Sequence, residues 1–311
     1  MTILVGYEPT KGGRAALELA LLLARSGRPD EIAVATVAPE SWPTPSLARV
    51  DAEYRAWADE QSDAALRRAQ QYLAENAPEL SVTTHRLEGR SVSAALSRGC
   101  LATSARVLVL GSAPDGPLGR VVIGSTTEPL LHSADRPLAI APRGYRAGRD
   151  TRVGRISCAF PGTADAEDLL IAADGLRAEI GGRLRILTFG VRGRTMYPSE
   201  VGLRAEDAVL DQWREQVTAA QQQVVADLRG RGLLADDTTA EVVTGDSWRD
   251  VLDDVDWEPG EMLVVGSNPT GRLSRVFLGS RALRIVRQAP VPVLVVPAAV
   301  ASEAAESAGQ D

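Results

Sequence analysis

The sequence predicts an α/β protein made of two tandem, doubly wound parallel sheets of five strands each, paired as an intramolecular pseudo-dimer. Three observations point there. The chain of 311 residues has room for two ordinary domains of about 100–200 residues each. It repeats itself in fixed register, which marks two copies of one unit. Within each copy, short apolar runs alternate with stretches of helical periodicity. Parallel strands need such crossovers, with both faces of the sheet covered.

The repeat is clearest after the fourth apolar run. Val109, Leu110, Gly111 and Ser112 are followed by Pro114, Gly116, Leu118, Arg120, Val121, Gly124 and Ser125. At an offset of 155 the order returns as Val264, Val265, Gly266 and Ser267, then Pro269, Gly271, Leu273, Arg275, Val276, Gly279 and Ser280. A proline-bounded apolar run closes each block, over 136–142 and 289–297. Trp57 with Trp213, Gly89 with Gly245 and Ile3 with Ile156 carry the match through the rest. The units are expected over 1–143 and 154–297, with a glycine- and arginine-rich linker over 143–153. Residues 298–311 are mostly Ala, Ser, Glu and Gly without apolar periodicity, and read as a disordered tail.

In the first unit, 2–7 is a short apolar strand and 12–24 carries Leu and Ala at helical spacing. β-branched residues over 32–37 predict a second strand. Val50, Tyr54, Trp57, Ala65, Ala69 and Leu73 recur near a helical period, predicting a long amphipathic helix with Trp57 in the core or between units. A strand over 81–87, a helix over 91–101 and a buried strand over 107–110 follow. A glycine-rich loop then leads to a helix over 125–133 and a closing strand over 138–141. The second unit repeats this order, with Val209, Trp213, Val217, Ala220, Val224 and Leu228 on one face of its long helix. The two closing strands would leave apolar edges bare, so they are expected to pair with each other, antiparallel.

Composition narrows the function classes. Hydrophobic residues at 44% and charged residues at 24% are those of a globular chain. The longest clean apolar stretch, 19–24, falls far short of the roughly 20 residues that span a bilayer. No secretory signal is visible at the N-terminus. A net charge of −7 argues against a general nucleic-acid binder. Cys100 and Cys158 are too few for a disulfide framework or zinc cluster and read as reduced cytoplasmic thiols, Cys158 in the core and Cys100 more reachable. His85 and His132 stand without metal-ligand partners in sequence, and the single lysine, Lys11, reads as a solvated residue of the first loop.

The loop after the fourth strand is the one segment with a ligand chemistry. A glycine at a strand's carboxyl end, then Gly-Ser opening a helix, is a recipe for holding phosphate: the backbone approaches closely and helix amides point at the anion. Ser125 and Ser280 add hydroxyl donors and cap their helices. Glu8, at the end of the first strand, faces the same crevice, where a carboxylate can accept from a ribose hydroxyl. The alternative is that these glycines and serines only make turns and caps.

These features resemble the universal stress protein family over nearly the whole chain. Its members open with a strand ending in Val-Asp-Gly-Ser and carry a Gly-x2-Gly-x9-Gly-Ser/Thr loop. Here Glu8 stands in place of the aspartate. Gly111, Gly124 and Ser125 fill three marked positions of the loop, as do Gly266, Gly279 and Ser280. The resemblance implies the adenine-nucleotide alpha hydrolase-like, Rossmann-type variant of the α/β fold. It implies ATP or another adenine nucleotide as ligand, alone or with Mg, and no catalysis beyond slow ATP turnover. It also implies dimerisation through the last strand; homo-oligomers beyond the intramolecular pair stay open, and the sequence names no protein partner.

The departures are specific. Pro114 and Pro269 stand where the pattern has its second glycine, and proline has no amide to give a phosphate. Gly116 and Gly271 are candidates to supply a substitute amide, and Arg120 and Arg275 to add charge-assisted contacts. The alternative for each arginine is to tie down the loop. In the second unit Pro161 replaces the counterpart of Glu8, so the first unit is the better nucleotide site. An enzyme of the same superfamily would need a metal carboxylate pair or a Ser-Gly-Gly-x-Asp or His-x-Gly-His loop, and the sequence has none. A structural pseudo-dimer without nucleotide is the remaining alternative.

Overall fold

The computed structural model describes residues 2–27, 31–39, 48–161, 166–192, 203–270 and 275–309. The first unit runs β1 (Thr2–Gly6), α1 (Lys11–Gly27), β2 (Glu31–Pro39), α2 (Ala48–Asn76), β3 (Val82–Gly89), α3 (Val92–Ala102), β4 (Ala105–Gly111), α4 (Thr127–Leu131) and β5 (Leu138–Ala141). The second runs β6 (Arg155–Ala159), α5 (Glu167–Ile180), β7 (Arg183–Val191), α6 (Leu203–Gly230), β8 (Thr239–Gly245), α7 (Trp248–Asp253), β9 (Met262–Gly266), β10 (Asn268–Thr270), β11 (Arg275–Phe277), α8 (Ser280–Gln288), β12 (Val293–Val296) and α9 (Ala298–Ala308).

The strands form one sheet in the order β3-β2-β1-β4-β5-β12-β9-β6-β7-β8. Every neighbouring pair is parallel except the central one. There β5 and β12 run antiparallel, with Ile140 opposite Val293 and Leu138 opposite Val295. Two parallel half-sheets are thus fused edge to edge, and the edges that would otherwise be bare are paired. The central strands are buried on both faces, which is why Leu-Ala-Ile-Ala and Val-Leu-Val-Val read as unbroken apolar runs.

Two apolar layers flank the sheet, and each crosses the seam. One joins Leu19 and Leu22 of α1 and Leu73 of α2 to Leu170 of α5, Leu228 of α6 and Ala301 of α9. The other joins Leu96 of α3 and Leu130 of α4 to Val251 of α7 and Val286 of α8. The linker is tied down by a buried acid: Glu18 accepts from the Tyr72 hydroxyl (2.6 Å), Arg146 (3.3 Å) and the Ala147 amide (3.2 Å).

Three expectations are overturned. Residues 298–308 are a helix, not a disordered tail: alanine is the best helix former, Ala301 is buried, and Ser302 donates to Asp168 of α5 at 2.6 Å. A face of alanines is too small to register as apolar periodicity. Trp57 is 56% exposed and lies against Tyr54, ring centroids 5.8 Å apart, because the early part of α2 stands clear of the core. Cys100 is buried, packed in the layer under α3, instead of reachable. Cys158 lies in the core as expected.

Candidate functional site

At the carboxyl ends of β1, β2 and β4 the first unit opens a crevice of about 270 Å³. Its size is near the lower end of the roughly 300–1,000 Å³ typical of small-ligand clefts. Three segments build it. The β1–α1 turn contributes Tyr7, Glu8, Thr10, Gly12 and Gly13; the β4 loop contributes Gly111 to Pro114; and Gly124 to Thr127 lead into α4. Ala35, Val37, Val92, Leu96 and Leu110 form an apolar wall.

The two loops meet backbone to backbone. A Cβ on Gly111 would overlap the carbonyl of Gly12, and one on Gly12 would overlap the carbonyl of Ser112. Only glycine allows this approach. Thr10 caps α1, its hydroxyl accepting from the Gly13 amide at 3.2 Å. Ser112 locks the β4 loop: its hydroxyl donates to the Ala141 carbonyl (2.7 Å) and accepts from the Val122 amide (2.9 Å). The Ala113 amide closes the loop onto the Val122 carbonyl at 2.9 Å. In the second unit the same register recurs as the β10–β11 hairpin, with Asn268 opposite Phe277.

At α4 the Glu128 amide bonds the Gly124 carbonyl at 2.9 Å. The amides of Ser125, Thr126 and Thr127 precede this first bond of the turn. Glu8 is exposed at the rim. Tyr7 is buried beneath it, and burial pushes its phenol above the ordinary range against the lowering pull of Arg68 and Arg14.

Of the residues singled out in sequence, Glu8, Gly111, Gly124 and Ser125 come together here. Gly116 and Arg120 do not line the crevice. Gly116 turns the loop: its φ is +146°, a Cβ would sit 2.8 Å from Val122, and its carbonyl accepts from Arg143. Arg120 crosses to the second unit, donating to Asp253 and to the Gln288 carbonyl (2.6 Å). It ties down the loop, and its guanidinium is committed to protein acceptors.

In the second unit Gly271 lies outside the described residues, as does the side chain of Arg275. Gly279 caps α8, with the Leu283 amide on its carbonyl at 2.9 Å, and Ser280 is exposed; the expected serine caps do not form, since the N-caps are Thr126 at α4 and Gly279 at α8, neither with a side-chain cap bond. Gly266 meets the Leu169 side chain, 2.9 Å from a Cβ, where its counterpart Gly111 meets bare backbone. Pro161 occupies the position of Glu8. Glu167 and Asp168 place two acids in the first turn of α5, whereas α1 has none in its first turn.

Sequence reasoning missed Tyr7, Gly12, Gly13, Val37, Val92, Leu96 and Thr127. The Gly-Gly pair opening a helix was a usable signal, since glycine is poor inside helices and marks close approach. The apolar wall has no local signature, being assembled from two separate strands, β2 and β4, and α3. Among the described residues no group of three or more His, Cys, Asp or Glu is placed to hold a metal ion, and no helix is long and apolar enough to cross a membrane.

The chain matches the model of the universal stress protein family twice, over 1–142 and 154–297. It is 46% identical over 297 residues to a universal stress protein of Mycobacterium tuberculosis H37Rv, covering 96% of this chain and all of that one. A Mycobacterium bovis universal stress protein matches to the same degree. Among solved structures, a universal stress protein from Archaeoglobus fulgidus superposes with a TM-score of 0.63 at 17% identity, covering 96% of this chain and 98% of that one. A Pseudomonas aeruginosa protein described as a universal stress protein gives 0.55 at 16% identity, over 99% and 97% of the two chains. The repeat, the fused half-sheets and these matches agree: the chain belongs to the universal stress protein family, as a tandem member with two units.

Proposed function

We propose that this chain is a non-catalytic stress-response protein that holds an adenine nucleotide in the crevice of its first unit. The carrying observation is the convergence of Glu8, the Gly12–Gly111 approach and the amides and hydroxyls of Ser125 to Thr127 around one cleft with an apolar wall. The wall suits a planar base, Glu8 a ribose hydroxyl, and the start of α4 a phosphate. The second unit is the poorer host. Pro161 removes the carboxylate, Leu169 covers Gly266, and the acids of α5 repel an anion.

Thermal melting with and without adenine nucleotide tests this. A ligand bound only to the native state stabilises it by about 2.7 kcal/mol at a hundredfold excess over Kd. Glu8→Ala should remove most of the shift and Pro161→Ala should leave it. No shift in the wild type, or equal loss from both variants, contradicts the reading.

A further inference from the structure

We propose that the exposed arginine stripe of α8 is a docking surface for an acidic helical segment of a partner protein. The inference is independent of the nucleotide reading. Arg281, Arg284 and Arg287 stand three residues apart on α8, and all three are exposed. Among the described residues none of them has an acidic partner. Asp253 of the neighbouring α7 is already held by Arg120 and Arg249. The fold gives no reason for the stripe. Like charges three apart on a helix repel, and a cation in the first turn, where Arg281 stands, opposes the helix dipole. Only Arg287, in the last turn, suits its place. The buried face of α8 is carried by Ile285 and Val286, not by the arginines. The first unit does without the stripe: its matching residues are Thr126, Pro129 and His132.

The chemistry of the stripe picks its occupant. Guanidinium forks match carboxylates two bonds at a time. At about 1.5 Å per residue the stripe is about 9 Å long, and carboxylates at i, i+3 and i+7 of an acidic helix span about the same length. Arg120 donates to the carbonyl of Gln288, the last residue of α8, and so fixes the β4 loop at that end. Leu118, two residues along the loop, is 73% exposed. Three cations with an apolar residue toward one end complement an amphipathic acidic helix. A nucleic acid or an anionic membrane fits less well. The stripe is short, the chain carries a net charge of −7, and the exposed acids Asp250, Asp253 and Asp254 lie on or beside α7. Val251 of α7 packs in the same layer as Val286 of α8, so a longer polyanion would run over like charge.

Fluorescence anisotropy of the full chain with a labelled acidic peptide tests this. The probe is about 15 residues long, near the minimum for an isolated helix, with glutamates at i, i+3 and i+7 and one leucine. Its control has the same composition in scrambled order. The ordered peptide should bind more tightly than the scrambled one, and more weakly as salt rises. Arg281→Gln, Arg284→Gln and Arg287→Gln together should weaken it by at least about tenfold, the worth of three rim ion pairs, without lowering the melting temperature. No binding, equal binding of the scrambled peptide, or unchanged affinity of the triple variant overturns the inference. So does a lower melting temperature of that variant, which would give the arginines a role in the fold. Tighter binding of duplex DNA, or of vesicles of phosphatidylcholine and phosphatidylserine in equal parts, lost in the triple variant, overturns it in favour of a polyanion surface.

Discussion

Leu294 of β12 lies opposite Ala139 of β5, and that antiparallel pairing turns two half-sheets into one. Both side chains belong to the same apolar layer, which runs unbroken from α2 to α9. The units are therefore not independent domains sharing a linker. Chemical denaturation should show a single cooperative transition, followed identically by far-ultraviolet circular dichroism and tryptophan fluorescence. Leu294→Ala should lower stability by about 2–5 kcal/mol without splitting that transition. Two separated transitions in the wild type would contradict the fused core.

The second unit contains a buried ionic cluster centred on Glu261. Glu261 accepts from Ser157, from Arg185 (2.6 Å), from Arg155 (2.7 Å) and from the Glu258 amide (2.8 Å), and Arg185 also lies 5.5 Å from the Trp257 ring centre. Every acceptor site of the carboxylate is used. Removing the charge leaves two arginines in a dry setting, so Glu261→Gln should destabilise by about 3–5 kcal/mol. Glu258→Gln, whose side chain is 36% exposed, should cost under about 1 kcal/mol. Equal effects in thermal melts would show that the cluster is solvated.

Burial pushes the Cys158 thiol up to about 12, and burial reinforced by Asp135 pushes Cys100 up to about 11. Burial and then Glu18 raise the Tyr145 phenol to about 12. In the unfolded chain thiols ionise near about pH 8.5 and phenols near about 10. Between those values and the folded ones the native state holds protons that the unfolded state has lost, so stability falls as pH rises. Stability should be complete below about pH 8.5 and decline toward 12, and Cys158→Ala should flatten the slope. Both thiols should resist an aromatic disulfide reagent until the chain unfolds. Rapid labelling of the native protein would contradict their burial.

Much of the fold was legible because repeat and periodicity are local signals. The ten strands of the main sheet and the central antiparallel pair follow from apolar runs and from the need to cover an edge. What failed needed knowledge of packing. Trp57 and Trp213 hold matching places in their units, yet Trp57 stands in solvent while the Trp213 ring lies so close over Gly190 that a Cβ there would overlap it. The α9 helix escaped notice because alanines bury little area each. At the site, Gly111, Gly124 and Ser125 of the β4 loop were found, whereas the Gly12–Gly13 pair was not. The sequence left two roles open for Arg120, because its partners, Asp253 and Gln288, are 133 and 168 residues away in sequence.

Native mass spectrometry directly counts the proposed single nucleotide site per chain, in the first unit. The wild type incubated with ATP or AMP should gain one nucleotide mass per chain. Glu8→Ala should lose it, and Pro161→Ala should retain it. Two nucleotides per chain, or a single one that survives Glu8→Ala, would contradict the account.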